Sequence, residues 1–347
     1  MSIPEAVAPV RIGIAGLGRA GMFHVERIGL REDLKVVALF DDCRTARERA
    51  RVESATMHAT WDAFLGDPAT EAVLLATPPA SHAELAIAAL AAGKDVLVET
   101  PLGLSVAEVD TVVSAARRTG RSVSVAQTRR WNDDFRTALG VLQSGSIGRP
   151  RAIKFVNWQY APQACNGRSR KIRTGQLPAE PDDNADHWRS HPATGGGAVW
   201  EFGVHHFDQL LQLAGLPLES VYAQLSFDES SGPAENGFLA AVSFVGGLTA
   251  HIEVNRTAAA PLSTGWMIAG DAGSYAGFTQ FQPTSDGEVV DLPLAPTAGH
   301  AVEFYRGFAR HLRYGEPNPV TAEAARSTIA LIEAVRTSAK RGEVVHF

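Results

Sequence analysis

From residue 10 to about 127, short apolar runs alternate with stretches of helical periodicity, the pattern of a parallel sheet with crossover helices. The runs predict strands at 10–15, 36–40, 72–76, 95–99 and 122–126. The alanine-rich stretch Ser81–Ala92 predicts a helix capped by Ser81 and stopped by Gly93, and Ser105–Arg118 predicts another that ends at Gly120. Beyond residue 130 the pattern changes to a helix at about 134–144, a strand at 150–158 and a polar stretch over 161–194. That stretch is rich in Pro, Gly and charge and too long for a simple connector. An apolar helix near 203–214 precedes alternating runs at 220–227, 237–245, 248–255 and 264–269, which predict an antiparallel sheet. Helices at about 301–314 and 321–340 close the chain.

Chemistry enters first at the turn after the first run. Gly16-Leu17-Gly18-Arg19-Ala20-Gly21 follows the strand directly, and the second run ends in Asp41, 20 residues beyond Gly21. In a dinucleotide-binding unit the first glycine makes the tight turn, the second leaves room for the pyrophosphate at a helix N-terminus, and the third packs helix on strand. A carboxylate at the tip of the second strand accepts hydrogen bonds from an adenosine ribose and repels a 2′-phosphate, so Asp41 favours NAD. Arg44, close behind, keeps NADP open, because a guanidinium is the usual partner of that phosphate. The fold class expected is therefore α/β. A Rossmann dinucleotide-binding domain over 1–128 precedes an α/β domain over 129–347 with a large, mainly antiparallel open sheet, and the C-terminal helix is free to pack back on the first domain. A wide sheet leaves one face in need of cover, which suggests a homodimer or homotetramer.

Composition narrows the class of partner. The 347 residues carry 45% hydrophobic and 20% charged side chains, ordinary for a folded protein with two well-buried cores. A net charge of −6 argues against nucleic acid as a general partner. The two cysteines, Cys43 and Cys165, make neither a disulfide framework nor a C-x-x-C site, which fits a reducing cytoplasm. Met1–Pro9 lacks the features of a secretory signal, and no uncharged apolar stretch approaches membrane-spanning length.

The other informative segment is Gly195-Gly196-Gly197-Ala198-Val199-Trp200-Glu201-Phe202-Gly203-Val204-His205-His206-Phe207-Asp208. Three glycines let backbone approach something closely. Glu201 and His205 are four apart and share a helix face if the helix starts early enough. A carboxylate beside an imidazole raises its basicity, as a general base requires, while a capping pair without chemistry is the plain alternative. Adjacent histidines on a helix diverge by about 100°, and no H-E-x-x-H spacing is present, so no metal site is expected.

With both segments in view, the chain resembles, over nearly its whole length, the family that joins glucose-fructose oxidoreductase, inositol dehydrogenase and the rhizopine-catabolism protein MocA. The resemblance rests on Gly16–Gly21 with His24, Thr77-Pro78-Pro79 with His82, Glu99-Thr100-Pro101-Leu102, Arg129-Arg130-Trp131, Trp188-Arg189 ahead of the glycines, and Gly203–Asp208. It implies a Rossmann domain, a second domain whose open sheet mediates dimer or tetramer contacts, and hydride exchange between nicotinamide and a sugar or polyol carbon. It also implies roles near the cofactor for Thr77, Pro78, His82, Glu99 and Arg130. His205 matches the family's catalytic histidine, and Glu201 stands where aspartate is usual. Thr100 replaces the lysine of a Glu-Lys-Pro motif, keeping a hydroxyl without the charge.

A cation there would stabilise the alkoxide-like transition state, and losing such a group commonly costs about 2.7–4 kcal/mol. Lys154 and Arg189 are the candidates to supply the missing charge. Asn157 and Trp188, an amide and an aromatic face, suit a carbohydrate-like substrate, as does His206. Arg168, Arg170, Lys171 and Arg173 make either a solvated loop face or a lure for an anionic substrate. Three functions fit: an NAD(H)-dependent sugar, polyol or glycoside oxidoreductase; a redox-neutral enzyme that keeps its NAD through oxidation, elimination or cleavage, and re-reduction; and a non-catalytic dinucleotide- or sugar-binding regulator, which Thr100 would favour.

Overall fold

Residues 8–50, 52–160, 188–228 and 232–347 are described by the structure, a computed structural model. The first apolar runs give β1 (Val10–Ala15), α1 (Arg19–Gly29), β2 (Leu34–Phe40), α2 (Arg44–Arg49), β3 (Thr56–His58), α3 (Trp61–Leu65), β4 (Ala72–Leu75), α4 (His82–Ala91), β5 (Asp95–Val98), α5 (Val106–Thr119) and β6 (Val123–Val125). The six strands form one sheet in the order β3-β2-β1-β4-β5-β6, and every neighbouring pair is parallel. All four residues of β4 are buried, as a strand covered on both faces must be. The chain order reverses between β1 and β4, which opens a crevice at the carboxyl ends of these strands.

Two local expectations are corrected in this part of the chain. The strand β3 was not expected, because its residues lie at the sheet edge, exposed or half-exposed, and make no apolar run. Ser81 does not cap α4; a 3₁₀ turn over Pro79–Ser81 intervenes, and the Ser81 hydroxyl is taken by Pro78 O at 2.8 Å and the Thr77 hydroxyl. Ser105 does cap, accepting the Glu108 N–H at 3.2 Å, and left-handed Gly120 ends α5.

The remaining elements are α6 (Asp133–Ser144), β7 (Pro150–Tyr160), α7 (Val204–Ala214), β8 (Leu218–Ser226), β9 (Gly237–Phe244), β10 (Leu248–Asn255), β11 (Thr257–Gly270), β12 (Ser274–Ala276), β13 (Thr279–Pro283), β14 (Val289–Pro293), α8 (Val302–Tyr314), α9 (Ala322–Arg341) and β15 (Val345–His346). Nine strands make a second sheet in the order β14-β13-β12-β11-β7-β10-β9-β8-β15. The pair β7–β10 is parallel, and the other neighbouring pairs are antiparallel. Strands β12 to β15 were not expected. β14 is exposed along its whole length and β15 has two residues, so neither carries an alternating apolar signal.

Residues up to Trp131 with His300–Ile329 form one compact unit, and Asn132–Gly299 with Ala330–Phe347 form the other. In the second unit the register puts Ile153, Ala250 and Val242 in one row on a buried face, and Lys154, His251 and Ala241 in the next row on the opposite face. Cys165 and the basic residues Arg168, Arg170, Lys171 and Arg173 lie outside the described residues. Among the described residues no helix is long and apolar enough to cross a membrane.

Candidate active site

The turn after β1 has the geometry that a dinucleotide needs. Gly16 sits at φ +88°, and a Cβ there would lie 2.5 Å from the Ala76 carbonyl, so only glycine serves. A Cβ on Gly21 would strike Gly16 O at 1.8 Å, the close helix-to-strand packing expected of the third glycine. A Cβ on Gly18 would instead enter open space, with no atom within 4 Å. Gly18 is also the N-cap of α1, and no side chain caps that end. The cradle therefore fits a pyrophosphate, held by backbone N–H groups and the helix dipole. Arg19, the first residue of α1, is exposed beside it.

Asp41 follows β2 at the same sheet edge and does structural work there. Its Oδ2 accepts the Leu17 N–H at 2.6 Å and its Oδ1 the Cys43 N–H at 2.8 Å, so the carboxylate ties the glycine turn to the second strand. Lone pairs remain on both oxygens for ribose hydroxyls. Arg44 is directed elsewhere: it is 84% exposed and pairs with Glu48 one helical turn on. Arg47, which the sequence reading passed over, turns back to donate to the Asp41 and Asp42 carbonyls.

Thr77 and Pro78 follow β4, Glu99 and Thr100 follow β5, and Arg130 lies in the 3₁₀ turn Thr128–Trp131 after β6. The carboxyl edge of the sheet thus collects all five, though their spacing in sequence shows no relation. Glu99 is the hub of a polar network. Buried His24 lies 2.7 Å from Glu99 Oε1 through Nε2 and 2.7 Å from the Tyr305 hydroxyl through Nδ1. The buried ring thus bridges Glu99 and Tyr305, one nitrogen to each. Glu99 Oε2 accepts the Thr100 N–H at 3.0 Å. Burial pushes the Glu99 carboxyl up, but the His24 hydrogen bond, the His24 charge and the Thr100 N–H together hold it below the usual glutamate range. Burial pushes the Tyr305 hydroxyl well up, and the Glu99 charge adds to it.

His82 is buried, with Nδ1 2.7 Å from Pro101 O and Nε2 2.7 Å from Thr77 O. It links the Thr77-Pro78 loop to the Glu99-Thr100-Pro101 loop. Burial lowers its basicity, against the two carbonyls and the nearby Glu99 charge. His24 and Tyr305 show why the sequence reading could not assemble this site: Tyr305 comes from α8, 281 residues away.

In the second unit the glycine triplet is fitted to backbone. A Cβ on Gly196 would stand 2.3 Å from Arg189 O and 2.8 Å from Trp188 O. Trp188 and Arg189 form part of a 3₁₀ turn, with the guanidinium stacked 4.2 Å from the indole ring. The chain then enters a π-helical turn, Val199–Gly203, before α7 begins at Val204. Such wide turns shift side-chain phase within a helix and recur at functional sites. Glu201 lies in the π turn and half-buried His205 in the first turn of α7.

The Glu201 carboxylate is paired with Arg256, 3.3 Å away, a residue the sequence analysis did not single out. Arg256 follows β10, and its guanidinium also lies 5.6 Å from the Phe202 ring centroid. His206 is 3% exposed, packed on Phe155 at 4.2 Å between ring centroids, and Asn157 Nδ2 is 3.4 Å from its Nε2. Asn157 and His206 are thus brought together in a packed layer under the sheet. Lys154 is not with them: strand alternation puts it on the opposite, exposed face. Among the described residues no group of three or more His, Cys, Asp or Glu side chains is arranged to hold a metal ion.

Comparison with known proteins agrees with this architecture. Residues 10–127 match "Oxidoreductase family, NAD-binding Rossmann fold", and residues 135–276 match "GFO/IDH/MocA C-terminal domain". The scyllo-inositol 2-dehydrogenase (NADP(+)) IolW of Bacillus subtilis is 25% identical over 98% of this chain and 96% of its own. The myo-inositol 2-dehydrogenase of Thermotoga maritima is 25% identical over 95% and 96%. The crystal structure of an NAD-binding protein from Listeria innocua superposes with a TM-score of 0.84 at 29% identity, covering 97% of this chain and 96% of that one. With the open Gly18 cradle and Asp41 at its edge, these matches show that the chain belongs to the Gfo/Idh/MocA oxidoreductases and is an NAD(P)-dependent enzyme of that family.

Proposed function

We propose that this enzyme moves hydride between nicotinamide and a secondary alcohol carbon of a sugar, polyol or glycoside, with His205 as general acid/base. When bound, NAD supplies the hydride acceptor. Gly16, Gly18, Arg19, Gly21 and Asp41 hold its pyrophosphate and ribose, with Thr77, Pro78, His82, Glu99 and Arg130 along the same strand edge. His205 takes the hydroxyl proton as the carbon is oxidised and returns it in the reverse direction. Glu201, paired with Arg256, favours the charged imidazole at that moment. Thr100 keeps a hydroxyl to position the substrate oxygen or the cofactor amide, and Trp188, Arg189, Asn157 and His206 shape the carbohydrate end. The single observation that carries this reading is the glycine triplet and π turn that place Glu201 one turn before a half-buried His205. Two relatives named as inositol dehydrogenases support a polyol. We further propose a cytoplasmic homodimer or homotetramer assembled through the open sheet face.

The test is an anaerobic absorbance scan near 340 nm after addition of NAD or NADP with a panel of inositols, sugars and sugar acids. Substrate-dependent growth of the reduced-nicotinamide band, abolished in His205→Ala, is the expected result. Normal turnover in His205→Ala removes the proposed base. A flat panel, with cofactor binding intact, favours a redox-neutral cycle on retained NAD or the loss of turnover at Thr100.

A further inference from the structure

We propose that Glu235 is the positioning residue for Glu201 and His205: it fixes the glycine triplet and the π turn from which both side chains project. The inference rests on the acid/base reading of His205 given above. Glu235 stands just before β9 and is 1% exposed. Its backbone carbonyl accepts the Ala198 N–H at 2.9 Å. Its Oε1 accepts the Val199 N–H at 3.2 Å and pairs with Arg336 at 3.1 Å. Gly197 lies flat on the carboxyl group, where a Cβ would come within 2.5 Å of its carbon.

The second carboxylate oxygen is buried with no hydrogen-bond partner, which is costly for an acceptor removed from water. The Val199 N–H and Arg336 contacts of Oε1 offset part of that cost. What the carboxylate provides is a fixed start for the π turn. The next residue secures the far side: Asn236 O accepts the Arg256 N–H at 3.0 Å, and Arg256 pairs with Glu201. Arg336, on α9, reaches the Trp200 ring at 5.9 Å as well as Glu235. Residues 235 and 236 therefore grip the turn from both sides of Glu201, and His205 follows one turn later.

The experiment compares the wild type with E235Q, E235A and R336M by steady-state kinetics on the substrate found above, by NADH titration, and by imidazole NMR with the His205 resonance assigned from H205N. E235Q keeps an acceptor for Val199 but loses the charge facing Arg336. We expect kcat to fall about tenfold or more in E235Q and further in E235A, since misplacement by about 1 Å can cost 10²-fold. NADH affinity and the His24 and His82 resonances stay unchanged, while the His205 resonance moves. If E235A does not fold, R336M, altered at a part-exposed partner, reports the same displacement. A folded E235Q and R336M with unchanged His205 resonance and unchanged kcat overturn the proposal. A displaced His205 resonance in a protein whose wild type turns over no alcohol upholds the positioning role and sinks the acid/base reading.

Discussion

Arg256 and Glu201 form an ion pair at 3.3 Å in which both partners are less than one-third exposed, on two segments 55 residues apart. The pair fixes the direction of the Glu201 carboxylate. It also places a guanidinium beside the proposed acid/base helix. Arg256→Met should lower kcat/KM by about tenfold to a hundredfold, with Arg256→Lys intermediate because it keeps the charge and loses the planar fork. Steady-state kinetics on both variants measures this, and equal activity in all three proteins would show the pair to be a surface accessory.

Gly197→Ala should be destabilising. Its φ of +104° disfavours any side chain, and the added carbon would meet the Glu235 carboxyl at 2.5 Å. Strain and overpacking of this kind cost about 1–3 kcal/mol. Urea unfolding, read as a shift in midpoint at constant slope, checks the size.

Asp41→Asn should weaken NADH binding about tenfold to a hundredfold, because charge-assisted hydrogen bonds to the Leu17 and Cys43 N–H groups are worth about 1.5–3 kcal/mol. NADPH should lose less than NADH, since the variant also removes a charge that repels the 2′-phosphate. Fluorescence titration of both cofactors separates the two effects. An equal loss for each would confine Asp41 to shaping the turn.

Stability should fall with acid, beginning near pH 6.5. Burial depresses His82 below its ordinary value of 6.5, so on acidification the unfolded chain takes up the proton first. Its contribution is complete above pH 6.5 and drains away as the pH drops towards the folded value. Glu99, also held below its ordinary 4.5, adds a second loss in the same direction below that pH. Chemical denaturation between pH 4 and 8 should show the upper phase vanish in a folded His82→Asn variant.

The sequence by itself determined what local rules govern. Gly16, Gly18 and Gly21 between an apolar strand and a helix read as a dinucleotide turn because each glycine meets a steric demand set within a few residues. The strands β1, β2, β4 and β5 were legible because a covered parallel sheet needs continuous apolar runs. The segment from Gly195 to Asp208 stood out through its three consecutive glycines. Tertiary structure decided the rest, since the partners come from distant elements and carry no common periodicity. Tyr305 on α8 completes the His24–Glu99 network across 281 residues. Strand alternation turned Lys154 away from Asn157, Arg44 went to Glu48, and Glu201, in the π turn, pairs with Arg256. Glu235 shows no pattern in the chain at all. Its role exists only where Gly197, Val199 and Arg336 meet it in a buried place, and burial is a property of the fold rather than of any segment.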